Sequence, residues 1–158
     1  QVTAGLARAL GMEVLAFDPH LPAESAAWGQ AQRCETLEAL LAEADVVSLH
    51  VPLNDQTRHL LDADRLAVMK RGAVVINAAR GGVVDESALA EALTSGRLAG
   101  AMLDVFEQEP LGAGSVLEGV PHLVLTPHIA GVTEESNARI SQMTAENVVA
   151  VLTPEGVA

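Results

Sequence analysis

The sequence is poor in aromatic rings, in cysteine and in positive charge, and each shortage narrows what it can be. Of 158 residues only Phe17, Trp28 and Phe106 are aromatic. Stacking platforms for single-stranded nucleic acid need more rings than that. A core with so few rings must be packed by Val, Leu, Ile and Ala, as in sheets covered by helices, and the 49% hydrophobic share suffices for one. Nine basic residues against 21 acidic leave a formal charge of −12, the wrong sign for a phosphate-backbone binder. An anionic substrate would therefore need a locally placed cation. Cys34 is the single cysteine, which excludes an internal disulfide and points to a reducing compartment. It lacks the basic neighbours of a reactive thiol, so packing is its expected role. No apolar run approaches the ~18 residues of a membrane span. The opening QVTAGLARALGM reads as a helical pattern rather than a signal-peptide layout. No His, Cys or Asp spacing resembles a metal site. The expectation is a soluble, acidic, cytoplasmic domain with no nucleic-acid, membrane or metal partner.

What is present is an alternation of short apolar runs and helical stretches. Val2, Leu6, Ala9 and Leu10 recur at helical spacing, and Gly11 follows in a C-cap position. Glu13–Phe17 reads as a buried strand, and a polar stretch then runs to about Glu35 with a short edge strand near Arg33. Thr36 is placed to cap a helix through Glu43. Val46–Leu49, Ala73–Asn77, Ala101–Val105 and Leu123–Thr126 are further strands. Between them Asp62–Lys70 predicts a short helix, and Asp85 caps another through Thr94. Thr133, with Glu134 and Glu135 behind it, opens a last helix to about Leu152, ended by Pro154. Strands apolar on both faces and alternating with helices imply an α/β fold with a parallel sheet. In such sheets ligands sit outside the carboxyl ends of the strands.

That rule selects a short set of residues. Asp18 follows Phe17, where an acid can accept from adenosine ribose hydroxyls and repel a 2′-phosphate, favouring NAD over NADP; the other reading is a turn residue before Pro19. Arg80 follows Asn77 and precedes Gly81 and Gly82. Its planar fork fits a substrate carboxylate, though a surface arginine in a turn would look the same. Asp104, Glu107 and Glu109 follow Leu103, and His128 follows Leu125 by three. A carboxylate beside an imidazole fixes its tautomer and leaves the other nitrogen to exchange a proton. Separately, His128 reads equally as a backbone-bonded strand-end residue and Glu109 as a solvated acid. His50, also at a strand end, competes for the acid/base role. His59 and His122 look structural, and His20 an exposed loop residue.

The runs FDP (17–19), HVPLNDQTRHL (50–60), INAARGGVVDESALAEAL (76–93), LDVFEQEPL (103–111) and LTPHIAG (125–131) together resemble the D-isomer-specific 2-hydroxyacid dehydrogenases, in order and spacing. The resemblance covers essentially the whole chain. It implies a doubly wound, Rossmann-like NAD-binding domain over 1–131, with 132–158 forming a C-terminal helix and tail that lead back toward a substrate domain. It implies hydride transfer between NAD(H) and a small 2-hydroxy or 2-keto acid. In that scheme Arg80 grips the carboxylate, His128 is the acid/base and Glu109 its partner. Asp18 binds the ribose and Asp104 lies near the nicotinamide carboxamide, while Val51, Pro52, Ala78, Ala79 and Gly131 line the cofactor. A homodimer is implied in the same way.

The departures are equally specific. The family's Gly-x-Gly-x-x-Gly loop is not found, and its last glycine would fall just before Gln1. The first strand, normally between the second and fourth, is missing too, as is the front of the substrate domain. These 158 residues alone are therefore expected to bind NAD poorly and turn nothing over. Glu109 argues against formate dehydrogenases, which carry an amide there, and Phe106 against D-lactate enzymes, which tend to carry Tyr. Glyoxylate/hydroxypyruvate reductase, 3-phosphoglycerate dehydrogenase and sulfolactate-type enzymes stay open. A non-catalytic NAD(H)-sensing protein of the same fold and an inactive fragment are the rival readings.

Overall fold

Residues 2–153 are described by the computed structural model. The chain alternates helix and strand: α1 (Val2–Ala9), β1 (Leu15–Ala16), β2 (Gln32–Arg33), α2 (Leu37–Glu43), β3 (Val46–Leu49), α3 (Ala63–Val68), β4 (Val74–Asn77), α4 (Glu86–Thr94), β5 (Gly100–Leu103), β6 (Leu123–Leu125) and α5 (Glu134–Leu152). Every pairing of these strands is parallel. They form two sheets, β1-β2 and β3-β4-β5-β6, and among the described residues no strand bridges them. The α/β parallel class is as read from the sequence, and the break between the two sheets falls between β1 and β3.

Local chemistry sets the element ends. Thr36 accepts from the Ala39 N–H, Asp62 from Arg65 and Asp85 from Ala88, each an N-cap satisfying an otherwise unpaired helix donor. Thr133 and Ser136 bond each other's backbone at the start of α5, a reciprocal cap. Gly11 ends α1 at φ +82°, a left-handed position that suits glycine. The Asp62–Lys70 helix is shorter than expected, closing at Val68. The strand expected over Glu13–Phe17 pairs only at Leu15 and Ala16, because its partner β2 is itself two residues long. The polar stretch between them contains a single 3₁₀ turn, Ala26–Trp28, capped by Ser25. Residues 154–158, with the expected stop Pro154, lie outside the described residues; the division expected after 131 falls in the connection from β6 to α5.

The core lies on one face of the larger sheet. Val47 and Leu49 of β3, Val75 of β4, and Ala101 and Leu103 of β5 meet Leu37 and Leu41 of α2, Leu66 of α3 and Leu89 and Leu93 of α4. Burying each of these Leu or Val side chains is worth about 1.5–3 kcal/mol. Cys34 belongs to the buried set, and burial together with the Glu43 carboxylate pushes its thiol up, as suits a packing cysteine. On the opposite face Val46 is 48% and Val124 58% exposed. The apolar residues that recur at helical spacing near the start of the chain, Val2, Leu6 and Leu10, are exposed, and neither α1 nor α5 buries a residue.

Candidate active site

Four parallel strands end on one rim. Leu49, Asn77 and Leu103 are in register across β3, β4 and β5, and Leu125 pairs with Leu103. The segments that follow are therefore brought side by side, although 79 residues separate Leu49 from His128.

The arginine turn is built by Asn77. This last residue of β4 is buried, its Oδ1 accepting from the Ala79 N–H at 3.0 Å and its Nδ2 donating to the Arg80 carbonyl at 3.0 Å. One side chain thus folds the backbone of 78–80 back on itself. Ala79 is half-buried against the core, while Ala78 and Arg80 face solvent. The Arg80 Nη1 donates to the Ala79 carbonyl at 2.6 Å, and its other guanidinium nitrogens have no protein partner among the described residues. Next to it, Gly81 lies against the Phe106 backbone so tightly that a Cβ would overlap the Phe106 carbonyl.

The imidazole sits on the neighbouring segment. His128 Nδ1 lies 2.8 Å from Glu109 Oε2, and Glu109 Oε1 accepts from the Phe106 N–H at 3.0 Å. The hydrogen bond from His128, then that from Phe106, hold the Glu109 carboxyl below the usual carboxylate range. With Nδ1 committed to a carboxylate, Nε2 is left to face a reactant. His128 has φ +55°, a backbone region that costs a non-glycine residue of order 1–3 kcal/mol.

Asp104 holds that strained segment. It is 1% exposed, and Oδ1 accepts from Thr126 Oγ1 at 2.5 Å and the Ile129 N–H at 2.9 Å, while Oδ2 accepts from the Ala130 N–H at 2.8 Å. Burial pushes this carboxyl up, but the three donors and the nearby His128 charge outweigh it and hold it below its ordinary value. A carboxylate with three donors brackets His128 from both sides.

The remaining expected residues fall into two places. Val51 is half-buried against the core and Pro52 accepts from Thr57 Oγ1 at 2.6 Å, both just past β3 on the common rim. Gly131, beyond the histidine, accepts from Ser136 Oγ at 2.5 Å. Asp18 follows the smaller sheet. It is exposed, and its Oδ1 closes a turn by accepting from the His20 N–H at 2.9 Å, leaving Oδ2 for a hydroxyl donor such as a ribose. His50 meets Ser48 Oγ at 3.0 Å, and among the described residues only His128 of the two competing histidines has an acid partner. Asn77 and Thr126 were missed from sequence. Their signal was present, since each is a polar residue directly at the carboxyl end of an apolar strand.

The description "D-isomer specific 2-hydroxyacid dehydrogenase, NAD binding domain" belongs to the family pattern that matches residues 1–130. The chain belongs to this family. It is 61% identical over 142 residues to an (S)-sulfolactate dehydrogenase of Chromohalobacter salexigens, covering 90% of this chain and 46% of that one. It is 50% identical over 119 residues to a glyoxylate reductase of Thermofilum pendens, covering 75% and 35%. Among solved structures, the TT0316 protein from Thermus thermophilus superposes with a TM-score of 0.86 at 44% identity, over 96% of this chain and 47% of the other. The chain thus spans less than half the length of these relatives. As a dehydrogenase NAD-binding domain it has NAD as its cofactor, and the free Asp18 oxygen and the exposed rim beside Ala78 and Pro52 fit that dinucleotide.

Proposed function

We propose that the chain supplies the catalytic rim of an NAD-dependent oxidoreductase acting on a small 2-hydroxy or 2-keto acid. The observation that carries this reading is the 2.8 Å approach of Glu109 Oε2 to His128 Nδ1, one segment away from an arginine with unpaired donors. Bound NADH supplies the hydride. Arg80 turns its free nitrogens to the acid's carboxylate, which a planar fork binds through two parallel hydrogen bonds. His128 Nε2 donates its proton to the carbonyl oxygen as negative charge develops there, and takes it back in the reverse direction. Glu109 stabilises the imidazolium and fixes the tautomer, and Asp104 keeps the histidine's backbone in place. Toward the dinucleotide, Asp18 would hold the ribose, Val51, Pro52, Ala78, Ala79 and Gly131 would line the cleft, and Asp104 would lie near the nicotinamide carboxamide.

The substrate class follows from the arginine, a cation in a chain of net charge −12. The 61% relative is named for (S)-sulfolactate, so sulfopyruvate comes first in the assay, followed by glyoxylate, hydroxypyruvate and 3-phosphohydroxypyruvate. The test is NADH oxidation by the protein in its native chain, followed at 340 nm (the absorbance of the reduced nicotinamide). Consumption of NADH with at least one of these acids, abolished in His128→Gln, is the expected result. Tight NADH binding with no turnover on any 2-keto acid would replace the enzyme by a non-catalytic NAD(H)-binding protein.

A further inference from the structure

We infer that Glu86 is a positioning residue for the His128–Glu109 pair, acting through a clasp on the backbone of Glu107. Glu86 is the first residue of α4, and it is buried. Its Oε1 accepts from the Glu107 N–H at 2.7 Å, and its own N–H donates to Glu107 Oε1 at 3.2 Å. The second of these bonds satisfies a backbone donor that a helix start leaves unpaired. Two bonds in opposite directions thus join the arginine side of the rim to the turn that carries Glu109.

The turn needs such a hold. It runs from buried Asp104 to exposed Glu109 and contains no strand or helix. Its inner contacts are the Glu109 bond to the Phe106 N–H and the approach of Gly81 to the Phe106 carbonyl. Glu107 stands between Phe106 and Glu109, so fixing its amide fixes the direction in which the turn leaves the sheet. His59 lies beside the same carboxylate without completing the clasp: its backbone N–H donates to the Gly82 carbonyl at 2.8 Å, and its Nε2 is 3.2 Å from Glu107 Oε1 but makes no hydrogen bond there. Burial pushes the Glu86 carboxyl up while the Glu107 N–H partly offsets it. A carboxyl kept at that desolvation cost is best explained by the bond it makes.

The inference rests on the reading of His128 and Glu109 as an acid/base pair, but two of its tests need no turnover. Glu86→Gln keeps the Oε1 acceptor and removes the charge. Glu86→Asp keeps the charge and is one methylene too short to reach the Glu107 N–H. In the native chain, the wild-type Glu107 amide is expected to be protected from hydrogen exchange, and E86D to exchange at least about tenfold faster. In E86D the Glu109 carboxyl, followed by its ¹³C shift, should titrate higher, back toward the ordinary carboxylate range. E86Q should leave both readouts near wild type. For turnover, E86D should lower kcat about tenfold with the NADH Kd unchanged, as expected for a misplaced proton donor. An unprotected Glu107 amide in the wild type would overturn the inference. So would a folded E86D with unchanged exchange and titration, or an E86Q as loose as E86D, since the charge rather than the bond would then matter. If E86D does not fold, wild-type protection together with E86Q decides. Absence of any 2-keto acid reduction by the wild type would defeat the proposed function and leave the exchange and titration results standing.

Discussion

Gly81 and Phe106 lie backbone against backbone, with no room between them for a methyl group. The atom in the way is a main-chain oxygen, which cannot swing aside as a side chain would. Gly81→Ala should therefore destabilise the domain by about 3 kcal/mol, the upper end of overpacking costs. Urea unfolding of the variant beside the wild type measures it. An unchanged midpoint would show that the two turns can separate freely.

Arg80 and His128 are expected to fail in different ways. Arg80→Lys replaces a planar fork by a point charge, so both the KM for the keto acid and kcat should worsen. His128→Gln removes proton transfer and little binding, so kcat should fall by about 10²–10⁴-fold while the NADH Kd stays within about twofold. Steady-state kinetics with NADH titration by fluorescence separates the two patterns. A variant of either residue with near-normal kcat/KM would remove that residue from its role.

Asp104→Asn tests the clamp. An amide presents N–H₂ where one carboxylate oxygen now accepts, so at least one backbone donor loses its partner at a cost of about 1 kcal/mol. The pH dependence has a definite sign. The folded carboxyl lies below its ordinary value, so its contribution is complete above about pH 4 and is lost as pH falls through the lowered value. The stability gap between wild type and D104N should narrow on acidification. A gap independent of pH would mean the carboxylate charge plays no part.

Glu86 carries the opposite sign. Its folded carboxyl is raised, so its contribution is present below the unfolded value of about 4.3 and falls as pH climbs toward the raised one. Glu86→Gln, which does not titrate, should gain stability relative to wild type across that interval. Parallel denaturation curves at a series of pH values read it directly, and equal pH profiles for the two proteins would contradict the raised value.

His122 offers a simpler gain. It is exposed, with φ +57°, and Asn tolerates that region better than other non-glycine residues. His122→Asn should raise stability by about 0.5 kcal/mol, visible as a higher thermal midpoint. Its carbonyl accepts from the Ala101 N–H at 3.0 Å, a backbone bond the substitution leaves in place.

Much of this was legible in the chain itself, because the signals are local. Asp85, Thr36 and Thr133 announce helix starts by side-chain chemistry that acts within three residues, and all three cap as read. The strand-end rule put Arg80, Glu109 and His128 on one rim. It could not show that Glu109 reaches His128, since that distance depends on β5 lying beside β6. The reciprocal bonds of Glu86 and Glu107 were missed for the same reason, as they join residues 21 apart through tertiary packing.

Asp104 grips the amides of Ile129 and Ala130 rather than their side chains. Any residue other than proline can supply an amide, so the clamp places almost no demand on which amino acids occupy those two positions. Ile129 is already 49% exposed. The two positions immediately beyond His128 can thus be randomised in a combinatorial library without loosening the hold on the backbone that carries the imidazole.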